Sequence, residues 1–165
     1  MNAPKSKRDK GVDVSRSQAR LATVQALYQM DLAETDLVEV IAEFKQHRLG
    51  GSGDGNGMAE ADQEHFAQVL RGVVKRQRDI DPLIDQQLAT GWRLARIDAI
   101  VRAILRAATF ELIDLPDIPP RVVISEYIEV ARAFFEGDEP RLVNGVLDQL
   151  ARKLRPGALP ERGEP

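Results

Sequence analysis

The 165-residue sequence contains no cysteine. That excludes a disulfide framework, a thiolate zinc site, an iron–sulfur cluster and a cysteine nucleophile. There are only two histidines, His47 and His65, on separate segments without paired ligand spacing, so no metal site is expected. No apolar run approaches the roughly 20 residues of a membrane span, and no hydrophobic stretch follows the basic N-terminus as it does in a secretory signal. The expected location is the cytosol, away from any membrane. Serines are few, and Ser125 sits mid-helix, outside any nucleophile-elbow context. Carboxylates are plentiful, but their spacing singles out no general acid and base. No enzyme activity, catalytic residue or cofactor is expected.

What is present is a core and an uneven charge. A composition 43% hydrophobic and 30% charged suits a globular chain able to bury a core without covalent staples. Residues 1–20 carry six basic side chains (Lys5, Lys7, Arg8, Lys10, Arg16, Arg20) against Asp9 and Asp13. The rest of the chain is acidic. A basic arm on an acidic body suits either a nucleic-acid contact or a solvated tail.

Residues 1–14 read as a disordered basic arm, because they are polar, charged and without period. Ser15-Arg16-Ser17-Gln18 is a capping-box pattern that predicts a helix start. Leu21, Val24, Leu27 and Tyr28 then recur at helical spacing, and Arg16 and Arg20 lie one turn apart. Leu37, Val38, Ile41 and Phe44 predict a second helix. Residues 50–57 hold five of the twelve glycines. They lack the Lys-Ser/Thr of a P-loop and the spacing of a dinucleotide site, and read as a flexible insertion.

Phe66, Val69, Leu70, Val73 and Val74 restore the helical period. Asp81-Pro82 reads as an N-cap followed by proline at the first helical position. The longest periodic segment runs through Ile97, Ile100, Val101, Ile104, Leu105, Ala108 and Leu112. A proline-rich break at 116–120 leads into Val123, Ile124, Tyr127, Ile128, Ala131, Phe134 and Phe135. Val122-Val123-Ile124 alone suits a strand, but the spacing after it and the prolines before it favour helix. Gly137-Asp138-Glu139-Pro140 repeats the turn-and-cap logic, and Val143, Val146, Leu147, Leu150 and Leu154 mark the last helix. Residues 156–165 are expected to be a disordered tail. The reading is all-α, with about seven helices in a single domain over 15–155.

Arg16 and Arg20 can present guanidinium forks to phosphate, and Tyr28 lies two turns further along the same helix. Tyr28 is either a stacking surface for an unpaired base or a core aromatic with its hydroxyl at the rim. Asn144-Gly145 places a glycine inside a helix, where it costs about 1 kcal/mol against alanine, and close helix approach is the expected reason.

Four segments resemble the NusB family of bacterial transcription antitermination factors, in order: Arg20 to Tyr28 (RLATVQALY), Arg102 to Leu112 (RAILRAATFEL), Val123 to Arg132 (VISEYIEVAR) and Leu142 to Asp148 (LVNGVLD). The resemblance implies an all-helical fold of two small bundles sharing a core. It also implies binding of single-stranded boxA RNA from ribosomal-operon transcripts. The implied protein partner is the NusE-type small-subunit ribosomal protein, within the RNA polymerase antitermination complex. Carried over by position, it puts Lys7, Arg8, Lys10, Arg16, Arg20, Gln25 and Tyr28 on the RNA side, with Asp138 and Arg141. Arg96, Asp98, Arg102 and Glu111 become exposed candidates for the protein partner, and the free chain is expected as a monomer or weak homodimer.

The sequence departs from the family pattern in several places. Ser17 and Gln18 interrupt the arginine run, Val101 stands where an acidic residue is frequent, Leu142 replaces a frequent phenylalanine, and the 50–57 insertion is unusual. The alternative reading is a helical protein-interaction module that binds no RNA, related to the accessory domain of RNA methyltransferases.

Overall fold

A computed structural model describes residues 7–47, 60–89 and 93–161. The described residues form α1 (Lys7–Ala33), α2 (Leu37–His47), α3 (Glu60–Asp85), a 3-10 turn (Leu94–Arg96), α4 (Ala99–Asp114), α5 (Pro120–Phe134) and α6 (Glu139–Leu154), with no strand among them. The helices divide into two compact units, one ending at Arg71 and the other beginning at Gly72.

In the first unit α1 begins at Lys7, two turns before the predicted capping box at Ser15. Lys, Arg and Asp in this stretch are tolerated in a helix, so the backbone does not need Ser15 as its start. Lys7, Arg8 and Lys10 therefore lie on helix backbone; their side chains are outside the described residues, as is the 50–57 insertion. Ala19, Ala22, Val24, Ala26 and Leu27 of α1, Val40, Ile41 and Phe44 of α2, and Phe66, Ala67, Val69 and Leu70 of α3 form the core. The Phe44 and Phe66 rings stack with centroids 5.5 Å apart. Leu21, expected in the core stripe, is only half-buried, because alanines carry the packed face of α1.

The second unit is built around α4, buried on most sides from Val101 to Leu112. Val123, Ile124, Tyr127, Val130 and Ala131 of α5 and Val143, Val146, Leu147, Leu150 and Ala151 of α6 complete its core, with Val73, Ile80 and Ile84 of α3. The helix predicted to start at Asp81-Pro82 is instead the second part of α3. The break falls at Arg76, whose φ of −108° and ψ of 15° leave the helical region, and Pro82 lies inside the helix. Asp81 is not a cap: its two carboxylate oxygens accept a bidentate fork from Arg106, both at 2.9 Å. This pairing ties α3 to α4 and explains the acidic residue that resembled an N-cap.

Arg155, just past α6, closes the far end of α4. Its Nε donates to the Leu112 carbonyl at 3.0 Å, and Nη2 to the Glu111 and Leu115 carbonyls at 3.0 and 2.9 Å. Nη1 donates to the Ile118 carbonyl. The Leu112 carbonyl lies in the last turn of α4, where the helix itself supplies no donor, whereas those of Glu111 and Leu115 also accept from the backbone N–H groups of Leu115 and Ile118, both at 3.1 Å. A cation at this end is favoured. Burial lowers the Arg155 pKa, and the Glu111 carboxylate pulls it the other way. The chain after α6 was expected to be disordered, yet residues 155–161 turn back and Arg152 donates to the Pro160 carbonyl at 2.6 Å.

Candidate nucleic-acid and partner interfaces

The residues expected on the RNA side lie in both units. In the first, α1 presents Arg16 at the surface edge, its side chain 31% exposed, with Nε donating to Asp62 Oδ1 at 3.0 Å. Arg20 does not share that setting. It is 3% exposed, among Ala19, Thr23 and Val24. An i, i+4 step rotates about 40° around the helix, which here carries the side chain from the edge onto the packed face. The expected exposed arginine pair is thus one half-exposed and one buried guanidinium. Gln25 and Tyr28 are half-buried on the next turns. Tyr28 is neither a core aromatic nor fully presented to solvent.

Asp62 was missed in the sequence, although it sits one turn before Phe66 on the apolar stripe of α3. A carboxylate on a buried stripe was the available signal. It is 1% exposed.

In the second unit, Asp138 stands at the N-cap position of α6. Its carbonyl accepts from Arg141 and Leu142 at 3.0 and 3.1 Å, but its side chain makes no capping bond. Its backbone is already helical, with φ −87° and ψ −3°, which turns the carboxylate away from the free N–H groups. Asp138 and Arg141 are both exposed. Asn144-Gly145 does not mark close helix approach: both residues are exposed, and a Cβ at Gly145 meets nothing within 4 Å. The glycine that does is Gly72, where a Cβ would stand 2.1 Å from the Phe110 ring.

The four expected partner residues also separate. Arg96 and Asp98 are exposed. Asp98 is the N-cap of α4, accepting from Ile100 and Val101 backbone N–H groups at 2.7 and 3.3 Å. Arg102 is half-buried, and its Nη1 donates to the carbonyls of Leu94, Ala95 and Ile97 at 3.2–3.3 Å, holding the 3-10 turn. Glu111 contradicts its expected exposure: it is fully buried and accepts from the Tyr127 hydroxyl. Nine residues past Arg102 is half a turn out of phase, so the two side chains leave opposite sides of α4. Glu111 is internal and cannot meet a docked protein.

A cavity of about 550 Å³ brings Arg96 and Asp98 together with Asp138, Glu139 and Leu142. Asp138, assigned by resemblance to the RNA side, and Arg96 and Asp98, assigned to the protein partner, thus line one depression together with apolar side chains such as Leu88, Ile97 and Val101. Among the described residues no three His, Asp or Glu side chains are grouped to hold a metal ion, and no helix is long and apolar enough to cross a membrane.

This geometry has known counterparts. Two proteins named transcription antitermination protein NusB, from Bartonella tribocorum and Allorhizobium ampelinum, are 52% and 54% identical to the chain over 140 residues. The matches span 85% of this chain and 90% and 88% of those proteins. The solved structure of T. maritima NusB superposes with a TM-score of 0.73 at 30% identity, covering 93% of this chain and 94% of that one. A crystal structure of antitermination factors NusB and NusE in complex with dsRNA shares the fold, with a TM-score of 0.73 at 22% identity over 85% of this chain and 98% of the other. The sequence profile of the NusB family matches residues 17–152. From profile, relatives and helical architecture together, the chain belongs to the NusB family.

Proposed function

We propose that the chain is a non-catalytic transcription antitermination factor of the cytoplasm. It binds single-stranded boxA RNA together with the NusE-type ribosomal protein, and the complex helps RNA polymerase resist termination. The observation that carries this reading is identity above one half, over most of both chains, to proteins named for antitermination. The half-exposed Arg16 and the exposed Arg141 supply cations for phosphate, the half-buried Tyr28 an aromatic ring for an unpaired base, and Asp138 a carboxylate free to accept from base amino groups. The basic N-terminal turns of α1, with Lys7, Arg8 and Lys10, add long-range attraction. Exposed Arg96 and Asp98 are the side chains offered to the protein partner.

Affinity built from phosphate contacts falls with salt, by about 0.7 in log–log slope per contact on a single strand. Arg16→Ala is expected to flatten the slope for boxA RNA by roughly that amount. Arg20→Ala is expected to lower the melting temperature and leave the slope unchanged, because Arg20 is buried. Anisotropy titrations across a salt series and a thermal melt read both. An unchanged slope for Arg16→Ala removes Arg16 from the RNA face.

A further inference from the structure

The first unit keeps a carboxylate where packing alone calls for an apolar side chain. Asp62 lies on the stripe of α3 continued by Phe66, Val69 and Leu70 and is 1% exposed. Its Oδ1 accepts the single bond from Arg16 Nε at 3.0 Å, and its Oδ2 is buried with no hydrogen-bond partner. An ionised carboxylate in such a place is costly, and one charge-assisted bond offsets only part of that. The pair contributes geometry instead. Nε is the inner corner of the guanidinium; once it is held, the plane of the group is held too. Both Nη groups of Arg16 form no hydrogen bond or ion pair among the described residues, on a side chain that is one-third exposed. A fixed planar fork with two unused Nη groups matches two oxygens of a phosphodiester, and ordering it beforehand removes the rotamer loss that binding otherwise incurs.

We propose that Asp62 is a positioning residue for RNA binding: it touches no RNA itself but holds the Arg16 guanidinium ready as a phosphate clamp. This rests on the RNA-binding reading above. Its consequence runs against simple charge arithmetic. Removing a negative charge beside a phosphate site strengthens binding to a polyanion by Coulomb attraction alone, whereas removing Asp62 weakens it.

The test is a double-mutant cycle with Asp62→Asn, Arg16→Ala and the double variant, on boxA RNA at fixed salt, with circular dichroism to verify folding. Arg16→Ala raises Kd about fivefold and Asp62→Asn about threefold, the scale of one ordered charge-assisted contact. In the Arg16→Ala background, Asp62→Asn changes Kd by less than about 1.5-fold, as coupled neighbours require. Arg16→Lys, which keeps the charge but lacks Nε, weakens binding as well and covers the case of a misfolded Asp62→Asn. Tighter or unchanged binding by folded Asp62→Asn overturns the proposal while a weakened Arg16→Ala leaves the RNA reading standing. An equal loss from Asp62→Asn in both backgrounds assigns Asp62 to general structure. Wild-type affinity for Arg16→Ala overturns both the clamp and the place of Arg16 on the RNA face.

Discussion

Gly72→Ala is expected to lower the stability of the second unit by about 2 kcal/mol, whereas Gly145→Ala raises it by about 1 kcal/mol. Both glycines lie inside helices, where alanine is favoured by about 1 kcal/mol on propensity. At Gly145 nothing stands within 4 Å of the new methyl group, so the propensity gain is realised. At Gly72 the methyl group falls 2.1–2.7 Å from three atoms of the buried Phe110 ring. Overpacking of that kind costs typically 1–3 kcal/mol and sometimes more, exceeding the propensity gain. Urea denaturation measures both signs. Phe110→Leu in the Gly72→Ala background should recover part of the loss, because the two sites share the overlap. A neutral Gly72→Ala shows that the ring moves aside freely.

Arg155→Met is expected to cost about 3 kcal/mol or more. It keeps the aliphatic stem but leaves the carbonyls of Leu112 and Ile118 without the guanidinium that serves them, while those of Glu111 and Leu115 keep only their backbone donors, Leu115 and Ile118. Each acceptor left unsatisfied away from water costs about 1–3 kcal/mol, less where water reaches it. Arg155→Lys retains the charge but cannot satisfy four carbonyls with one ammonium, and is expected to fall between the two. A thermal shift of roughly 6–12 °C follows for Arg155→Met in a chain of this size. A shift under 2 °C contradicts the assigned role.

Helix existence was legible wherever an apolar period ran long, as from Ile97 to Leu112, because the buried stripe of a helix is written in its own residues. Breaks were less so. Asp81-Pro82 has the chemistry of a helix start, but its carboxylate is taken by Arg106, 25 residues away. The burial of Glu111 depends on Tyr127 and Arg155, 16 and 44 residues distant, and no local pattern reports them. The phase of α1 decided the candidate site. Arg16 and Arg20 look equivalent at one-turn spacing, yet the extra 40° of rotation separates an edge from the interior. Gly145 drew attention through its motif and has open space around it, whereas Gly72, in the unremarked Arg71-Gly72-Val73, carries the close approach. Asp62 showed only as a charge on an apolar stripe until its partner, 46 residues earlier, was placed.

The central claim is selective recognition of boxA RNA with a ribosomal-protein partner. Fluorescence anisotropy with boxA RNA and a scrambled strand of equal composition, each with and without the NusE-type protein, tests it most directly. The account predicts tighter binding to boxA than to the scrambled strand, and a further gain with the partner on boxA. Equal weak binding to both strands, unmoved by the partner, contradicts it and leaves a basic helix on an interaction module.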